Sequence, residues 1–439
     1  MPRRIFRSLM AVCILLSGFT SAALAGDDYD MASAVEKALR DNQGVVSSGA
    51  ARDAAEEGRK SARGAFGPAL STTYGYKRLD EKPVTFGREL DNDTYTWTMG
   101  VRQPLFTGFN ILSTYQKAAL EKDRKEAELS KTRLTLALAV QQAFLTYLKA
   151  QQDVRSANDA LVRLRDQLKV TQAFYDVGLR PRLDVLQAEV DLSKAETDFI
   201  KAENALDTQK ARLNTLLALP VETASSFSGT LEYRPFTRPF EACLEQAYRQ
   251  RPDMHMAAKA IEIAGKDTTI ASSGYYPQVS AGFDWATQGD HPEASGSTLD
   301  RTGYTQWSTN VTASMNVFEW GRTYYGVQQA KQIESKVRAD EANLRQEIAY
   351  EVKSRLLAIS ESGKRIVVAH KALDQAHEAY RMALARYQAQ VGTNTDVLDA
   401  QAKLTAAEAG LTGAKADYLV ALAQLYASLG ELRPDLSGS

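Results

Sequence analysis

The sequence predicts a mainly helical protein with a small amount of membrane β-structure, built from one unit that occurs twice. Three observations lead to this prediction: an internal duplication, helical patterns too long for an ordinary domain, and four strand-like segments with one apolar face. Each unit is expected to contain a short helix, a β-hairpin and a long helical hairpin.

The composition is that of an ordered chain without a strongly charged surface. It has 439 residues, 44% of them hydrophobic and 24% charged, with a net charge of −1. The apolar fraction is too high for disorder, and the balanced charge argues against nucleic acid as a partner. A mean hydropathy of −0.34 argues against several helical membrane spans, because each needs about 20 nearly uncharged residues.

The N-terminus has the features of a secretory signal peptide. Three arginines precede an apolar run at 9–16, and small residues follow, ending at Ala25. We therefore expect residues 1–25 to be removed and the mature chain to be exported. Cys243 is then the only cysteine of the mature chain. A single cysteine excludes an internal disulfide, and we expect Cys243 to be a small buried apolar residue.

An internal duplication organises the rest of the chain. Residues 175–188 align without gaps with 387–400, an offset of 212, and share Tyr, Asp, Val, Leu and Ala in register. Further upstream the offset is 209, where Pro68 aligns with Pro277. A length change of three residues must therefore fall between Pro68/Pro277 and Phe106/Phe318, where a loop would tolerate it.

The alignment divides the chain into two repeats. The expected boundaries are a signal peptide at 1–25, a first repeat at 26–220, an equatorial linker at 221–237, a second repeat at 238–432 and a C-terminal tail at 433–439. The β-hairpins are expected at about 69–105 and 277–317, and the helical hairpins at about 108–218 and 321–430. The linker and the tail lack periodicity, and no role is assigned to them.

The helical segments follow a heptad pattern. In the first repeat the apolar positions step by three and four residues through Val154, Ala157, Leu161, Leu164 and Leu168. Neither proline nor glycine occurs from Asn110 to Phe174, and such a helix would be about 100 Å long. This length predicts coiled-coil packing in two helical hairpins, whose far tips lie near Gly178 and Gly392.

Four segments ahead of the long helices alternate between apolar and polar residues, as strands do. The apolar series begin at Leu70, Tyr95, Val279 and Trp307. Their length of about ten residues and their aromatic faces fit transmembrane barrel strands, although a soluble sheet packed on one face has the same pattern. Four strands cannot close a barrel, so a membrane barrel would have to be shared by several chains.

These residues together resemble the TolC family of outer membrane channel proteins. The β-hairpins end in Phe106-Thr107-Gly108 and in the segment 318–322, and the segment 391–401 is similar to the C-terminal gate segment of the family. Val177-Gly178-Leu179 is similar to its counterpart in the first repeat. The resemblance extends over essentially the whole mature chain, from about residue 30 to 432.

The resemblance implies a homotrimer with a trimeric α-helical barrel and a shared 12-stranded transmembrane β-barrel. The β-barrel would lie among outer membrane lipids of a Gram-negative bacterium, and the helices would form a tunnel through the periplasm. Such proteins are passive exit ducts without a cofactor. They dock with a periplasmic adaptor and with an inner membrane transporter, which is either an efflux pump or an ATP-driven (ABC) exporter.

The resemblance also implies a gate at the periplasmic end. Asp396 and Asp399 would face the tunnel as rings of like charge that attract cations, and Tyr387 and Asp184 would belong to a network that closes it. Alternatively, the aspartates are exposed on a solvated face or cap the start of a helix.

Two departures from the family pattern affect this gate. Asn394 replaces a frequent arginine, and Gln390 replaces a glycine. The latch is therefore expected to be weaker or built differently, with Arg180 and Arg182 from the opposite tip as possible sources of charge.

The two tips are the predicted docking sites for the adaptor, because small residues at these turns allow another helical hairpin to approach closely. The residues concerned are Val177, Gly178, Leu179, Val391, Gly392 and Thr393. Alternatively, Gly178 and Gly392 are C-caps of the preceding helices.

The sequence gives little support for catalysis or a metal site. His370 and His377 lie seven residues apart without further ligands, and no nucleophile, phosphate-binding or metalloprotease motif occurs. The competing class is a periplasmic coiled-coil adaptor or scaffold protein, which would also be exported and rich in heptads. The sequence does not distinguish small molecules from secreted protein as cargo.

Overall fold

The computed structural model describes residues 28–81, 84–85, 88–89, 92–295, 304–433 and 436. The predicted signal peptide lies outside these residues. The helices are α1 (Met31–Asp41), α2 (Gln43–Gly64), α3 (Asn110–Asp176), α4 (Arg182–Leu216), α5 (Phe240–Gln250), α6 (Pro252–Ser272), α7 (Arg322–Gln388) and α8 (Asn394–Ser428). The strands are β1 (Asp28–Tyr29), β2 (Ala69–Arg78), β3 (Val84–Thr85), β4 (Arg88–Glu89), β5 (Asp93–Thr107), β6 (Ser226–Phe227), β7 (Gln278–Gly289) and β8 (Tyr304–Ser314).

The long helices of the two repeats have the same lengths. Both α3 and α7 have 67 residues, and both α4 and α8 have 35. At 1.5 Å per residue, α3 and α7 are each about 100 Å long. Each long helix packs against the next one in a helical hairpin, and the two hairpins meet through α3 and α8. There Arg163 forms an ion pair with Glu408, at 3.1 Å between Nη2 and Oε2.

The two β-hairpins form one antiparallel sheet with the order β2-β5-β7-β8. Trp97 pairs with Tyr74 on β2 and with Thr287 on β7, so the aromatic positions of neighbouring strands share one face of the sheet. Strands β2 and β8 are its edges within the described part of the chain.

The chain passes from the sheet into each long helix through two successive residues in the left-handed region. These are Gly108 and Phe109 before α3, with φ of 60° and 66°, and Trp320 and Gly321 before α7, with φ of 51° and 80°. The pairs are equivalent at the offset of 212, but the glycine is first in one repeat and second in the other. A Cβ atom at Gly108 would lie 2.7 Å from the carbonyl oxygen of Ser273, so the chain is closely packed there.

The core lies around the middle of the long helices, where the short helices and the linker pack. One cluster includes Phe144 and Leu213 from the first repeat and Phe227 from the linker, and the other includes Ile348 and Tyr418 from the second repeat. Cys243 is fully buried in the second cluster, as the sequence predicted.

The linker and the N-terminal segment take part in this middle region. Strand β6 of the linker pairs in parallel with β1, and Tyr233 packs edge-on against Tyr418 at a ring centroid distance of 4.8 Å. This pairing could not be predicted from the sequence, because two-residue strands have no measurable periodicity.

Equivalent contacts hold the short helices of both repeats against the ends of the long hairpins. Asn42 donates from Nδ2 to the carbonyl oxygen of Leu216 at 3.0 Å, and Arg251 donates from Nη1 to that of Ser428 at 3.1 Å. Arg251 also donates to Glu351 on α7 at 2.6 Å, so it ties three helices of the second repeat together.

Within the described residues, no helix has both the length and the apolar character that a membrane span requires.

Candidate functional site

The turns between the long helices of each repeat form the candidate site. At the first tip Gly178 has a φ of 79°, and its N–H donates to the carbonyl oxygen of Tyr175 at 2.8 Å. The N–H of Leu179 donates to the carbonyl oxygen of Phe174 at 2.9 Å. Gly178 is therefore a C-cap that ends α3 in the left-handed conformation, one of the two interpretations drawn from the sequence.

The second tip uses a different residue for this conformation. Gln390 has a φ of 65°, and the N–H of Val391 donates to the carbonyl oxygen of Arg386 at 3.0 Å. The interpretation of Gly392 as the C-cap of α7 is therefore wrong. The offset of 212 aligns Gly178 with Gln390, so the duplication contained the signal, but a long side chain in a left-handed position is uncommon.

Gly392 has a steric role instead. A Cβ atom at this position would lie 3.1 Å from the Cβ atom of Arg386 and 3.2 Å from the backbone nitrogen of Tyr387. The residue after it, Thr393, is the N-cap of α8. Glycine thus allows the chain to turn closely around the end of α7 before α8 begins.

Arg180 joins the two tips. Its Nη2 donates to the carbonyl oxygen of Gly392 at 2.6 Å, and its Cζ lies 5.0 Å from the centroid of the Tyr387 ring. From the sequence we expected Arg180 or Arg182 of the first tip to supply a positive charge, and it is Arg180 that supplies it at this contact. Arg182 is exposed at the start of α4 and has no such contact among the described residues.

Tyr387 is fully buried between the two hairpins. Its hydroxyl donates to Oγ1 of Thr171 on α3 at 3.2 Å, and its ring lies 5.6 Å from that of Phe174. The predicted partner, Asp184, is half-buried on α4 and contributes its backbone carbonyl oxygen to the same region. Tyr387 and Asp184 thus both contribute to the hydrogen bonds between the two hairpins, but the hydroxyl of Tyr387 does not bond to the carboxylate of Asp184.

Asn394 is the centre of that network. Its side chain is only 1% exposed, its Nδ2 donates to the carbonyl oxygen of Asp184 at 3.0 Å, and its Oδ1 accepts from Nε2 of Gln167 at 2.8 Å. Thr171 is also fully buried, and its hydroxyl donates to the carbonyl oxygen of Gln167 at 2.9 Å. The first residue of α8 is thereby bound to both helices of the first hairpin.

Sequence reasoning missed Gln167 and Thr171. Thr171 continues the heptad series, three residues after Leu168, and a polar residue at such a position is a recognisable signal for a buried polar contact. Gln167 gives no comparable signal, because it precedes a heptad position and looks like part of a solvated face.

The two predicted gate aspartates are exposed and make different contacts. Asp396 accepts from the backbone N–H of Thr393 at 3.0 Å, while its own N–H donates to Oγ1 of Thr393 at 3.1 Å, which forms a capping box. Asp399 forms an ion pair with Lys403 at 2.6 Å. The hydrogen bonds from the backbone and side chain of Thr393 lower the pKa of Asp396, so it is ionised at neutral pH.

Cation-binding side chains do not cluster elsewhere in the part of the chain that the structure describes. It contains no group of three or more His, Cys, Asp or Glu residues arranged to hold a metal ion. His370 is exposed and lies 3.1 Å from a carboxylate oxygen of Asp374 one turn further along α7.

Comparison with known proteins assigns the chain to a family. The profile of the family described as "Outer membrane efflux protein" matches residues 34–219 and 243–431. Outer membrane protein TolC of Vibrio cholerae is 27% identical over 413 residues, which are 89% of this chain and 89% of that protein. Alkaline protease secretion protein AprF of Pseudomonas aeruginosa is 23% identical over 322 residues, which are 73% of this chain and 66% of that protein.

A solved structure has the same fold. The crystal structure of the CmeC outer membrane channel of Campylobacter jejuni superposes with a TM-score of 0.80 at 14% identity, covering 91% of this chain and 85% of that one. The predicted fold class and the resemblance on which it rested are confirmed. Because the family profile matches most of both repeats, the chain belongs to the outer membrane efflux protein family.

Proposed function

We propose that three copies of this chain assemble into a single duct that is closed at its helical tips. The observation that carries the proposal is the open four-stranded sheet, whose edges β2 and β8 lack partners among the described residues, with helices about 100 Å long leading away from it. Unpaired backbone groups cannot be exposed to lipid. Three sheets joined edge to edge would satisfy both edges in one 12-stranded barrel.

As a member of its family, the chain is an outer membrane exit duct for efflux or type I secretion, and its helical portion lies in the periplasm. The proposal adds the partners. A periplasmic adaptor and an inner membrane transporter, either an efflux pump or an ABC exporter, would supply the energy and select the cargo, while the duct itself catalyses no reaction.

In the proposed closed state the tips of the two hairpins are tied together inside each chain. The supporting contacts are the bond from Arg180 to Gly392, and those from Asn394 to Asp184 and Gln167. Opening would require these contacts to break, because they join the first hairpin to the second. Tyr387 would act as the buried platform on which Arg180 rests.

Asp396 and Asp399 would then contribute charge at the narrow end of the tunnel. Three copies of an exposed, ionised Asp396 would attract cations and disfavour anions. Lys403 partly compensates Asp399, so in this proposal Asp396 has the larger effect.

The tips are also proposed as the docking surface for the adaptor. Val177 is 68% exposed, Leu179 52% and Val391 69%, so both tips present apolar side chains to their surroundings. These residues, with Gly178, Gly392 and Thr393, would contact the end of a helical hairpin of the adaptor.

Fractionation of cell envelopes tests the duct against the alternative of a periplasmic scaffold. We expect the protein in the outer membrane fraction, running in detergent gels as a band that heating converts from trimer to monomer. Recovery from the periplasm as a soluble monomer would contradict the duct and favour the scaffold. Deleting the genes of candidate adaptors and transporters one at a time would then identify the partners and the cargo.

A further inference from the structure

The two faces of the four-stranded sheet differ in charge. The face that carries Trp97 and Trp285 has no charged residue in the paired strands, apart from Arg78 and Asp93 at its end. The opposite face is polar and contains the other charged residues of β2, β5, β7 and β8, which are Lys77, Arg102 and Asp284.

Two of these charged residues belong to neighbouring cross-strand residue pairs in the middle of the sheet, and we call each such pair a rung. Asp284 is paired with Gly100 on β5, and Arg102 is paired with Gly282 on β7. Residues two apart on a strand are separated by roughly 6.5 Å along it, so the rungs are near one another without coinciding. A glycine opposite each charge leaves the space above the neighbouring strand open.

The carboxylate of Asp284 is held in a fixed position. Its Oδ2 accepts a hydrogen bond from Nδ2 of Asn310 on β8 at 3.2 Å. Its Oδ1 lies 3.2 Å from the point that a Cβ atom at Gly100 would occupy, and Oγ of Ser71 on β2 lies at the same distance from that point. The negative charge therefore extends over β5, between hydroxyl and amide groups of both edge strands.

Arg102 is exposed, and the described residues give it no hydrogen bond or ion pair. Its opposite neighbours are Gly282 on β7 and Ala69 on β2, neither of which has a polar side chain. Asp284, for its part, bonds to Asn310 and to no cation among the described residues. The two opposite charges consequently remain separate and available to a solute.

We propose that Asp284 and Arg102 form a two-signed contact band on the wall of the duct, where a passing solute places cationic groups at the Asp284 rung and anionic groups at the Arg102 rung. This inference rests on the proposed function, because the polar face borders a lumen only if three sheets close into a barrel. At an ionic strength of 0.1 M the Debye length is about 10 Å, so both charges act on a group close to the wall, and the charge that lies nearer to the group has the larger effect. The band would discriminate by the sign of charge, independently of the aspartates at the distant tips.

Single-cysteine reporters on the trimer in lipid vesicles test the band. Ser308 pairs with Asp284 and Ala69 with Arg102, so Ser308→Cys and Ala69→Cys report on one rung each. The native Cys243 is buried and gives little background. The reaction rates would be measured with a cationic and an anionic methanethiosulfonate reagent of similar size that cannot cross the bilayer.

We expect the cysteine at position 308 to prefer the cationic reagent and the one at position 69 to prefer the anionic reagent, each by about two- to fivefold at low salt. Asp284→Asn should abolish the first preference and Arg102→Gln the second. Arg78→Gln, a change of the same size on the other face, should alter neither. If a variant fails to form trimers, the proposal is tested by the salt dependence of the two cysteine reporters that retain Asp284 and Arg102. In these proteins 1 M KCl should abolish both reagent preferences.

A reporter on the opposite face separates this inference from the proposed duct. Thr309→Cys lies one residue from the Ser308 reporter but on the face that would contact lipid, so it should not react. Equal reaction at both positions would overturn the proposed duct itself. Reaction at position 308 alone, with a preference that Asp284→Asn or salt does not change, would overturn only the contact band.

Discussion

Arg180 is the residue through which the two repeats are joined at their tips. The duplication aligns it with Gly392, the residue whose carbonyl oxygen it binds, so the same position in the two repeats supplies the donor and the acceptor of one contact.

Arg180→Gln is expected to loosen the proposed gate. The substitution removes a charge-assisted hydrogen bond to Gly392 and the cation above the Tyr387 ring, and a bond of this kind contributes about 1.5–3 kcal/mol. The ratio of closed to open ducts should fall about tenfold or more, which would appear as a higher basal conductance in planar bilayers. Arg182→Gln is the matched control, and equal conductance of the two variants would refute the role of Arg180.

Replacing Gly178 by Trp is expected to abolish export while trimers still form. Apart from its chain neighbours, no described residue has an atom within 4 Å of a Cβ atom at Gly178, so the added ring would extend into the region proposed for the adaptor. The φ of 79° at this position adds strain. Gly392→Trp should have the same effect on export but also disturb α7, because the backbone of Tyr387 is close. Export would be measured with the transporter and adaptor present, and normal export by both variants would refute the docking role.

The pH dependence of the gate follows from the lowered pKa of Asp396. The hydrogen bonds from Thr393 favour the carboxylate, so its stabilising effect on the start of α8 is present above about pH 4 and is lost as the pH falls through the lowered pKa. We therefore expect the cation preference of the duct to be the same at pH 7 and pH 5. A reversal potential that shifts over this range in the native protein but not in Asp396→Asn would contradict this assignment.

At the scale of elements, the passage from sheet to helix depends on paired left-handed residues. The glycine is required most at the first junction, where a Cβ atom at Gly108 would meet the carbonyl oxygen of Ser273 at 2.7 Å and the Cβ atom of Tyr276 at 2.8 Å. At the second junction a Cβ atom at Gly321 would be close, among the described residues, to the ring of Tyr325 alone, and this ring can move.

Gly108→Ala is expected to destabilise the protein, because it combines an unfavourable φ with a backbone clash that together cost about 1–3 kcal/mol or more. The temperature at which the trimer dissociates in detergent should fall by several degrees. Gly58→Ala, in the open interior of α2, should leave that temperature unchanged or raise it slightly. A dissociation temperature for Gly108→Ala equal to that of the native protein would contradict the steric argument.

The sequence predicted the elements better than it predicted their ends and their cross-contacts. Heptads and alternation repeat over many residues, so α3 and β5 could be recognised without knowledge of their partners. The left-handed conformation of Gln390 depends on a single residue, and the burial of Asn394 and Gln167 depends on a neighbour 227 residues away along the chain. Such contacts leave no periodic signal, and this is why the sequence led us to expect charged contacts between the tips, whereas most of the observed ones are neutral hydrogen bonds.

At the scale of the whole molecule, the fold and the membrane location both follow from how the residues are divided between the strands and the long helices. Strands β2, β5, β7 and β8 use only a small part of the chain, whereas α3, α4, α7 and α8 use nearly half of it and contain many charged residues. This explains why an outer membrane protein can have a mean hydropathy of −0.34. The family and its localisation could therefore be predicted from the sequence, whereas hydropathy alone would have indicated a soluble protein.

The proposed trimer should be strongly elongated in one direction. Helices α3 and α7 of 67 residues each extend about 100 Å from the sheet, so electron microscopy of the protein in nanodiscs should show a rod of about that length on one side of the disc only. Removing residues from both tips in equal number should shorten the rod in proportion. A compact particle, or density on both sides of the disc, would contradict the arrangement.

The sequence difference between the two tips reduces the number of equivalent orientations in which a ring-shaped partner could bind. Three chains with two hairpins each would surround the tunnel with six hairpins, and identical repeats would give six equivalent ways for a ring-shaped partner to engage them. Because one tip carries Arg180 where the other carries Gly392, the hairpins alternate in kind and only three orientations remain equivalent. A partner built from identical subunits would then meet two different environments in turn, so the sequence differences between the tips, Arg180 against Gly392 among them, would set the rotational register of the whole assembly.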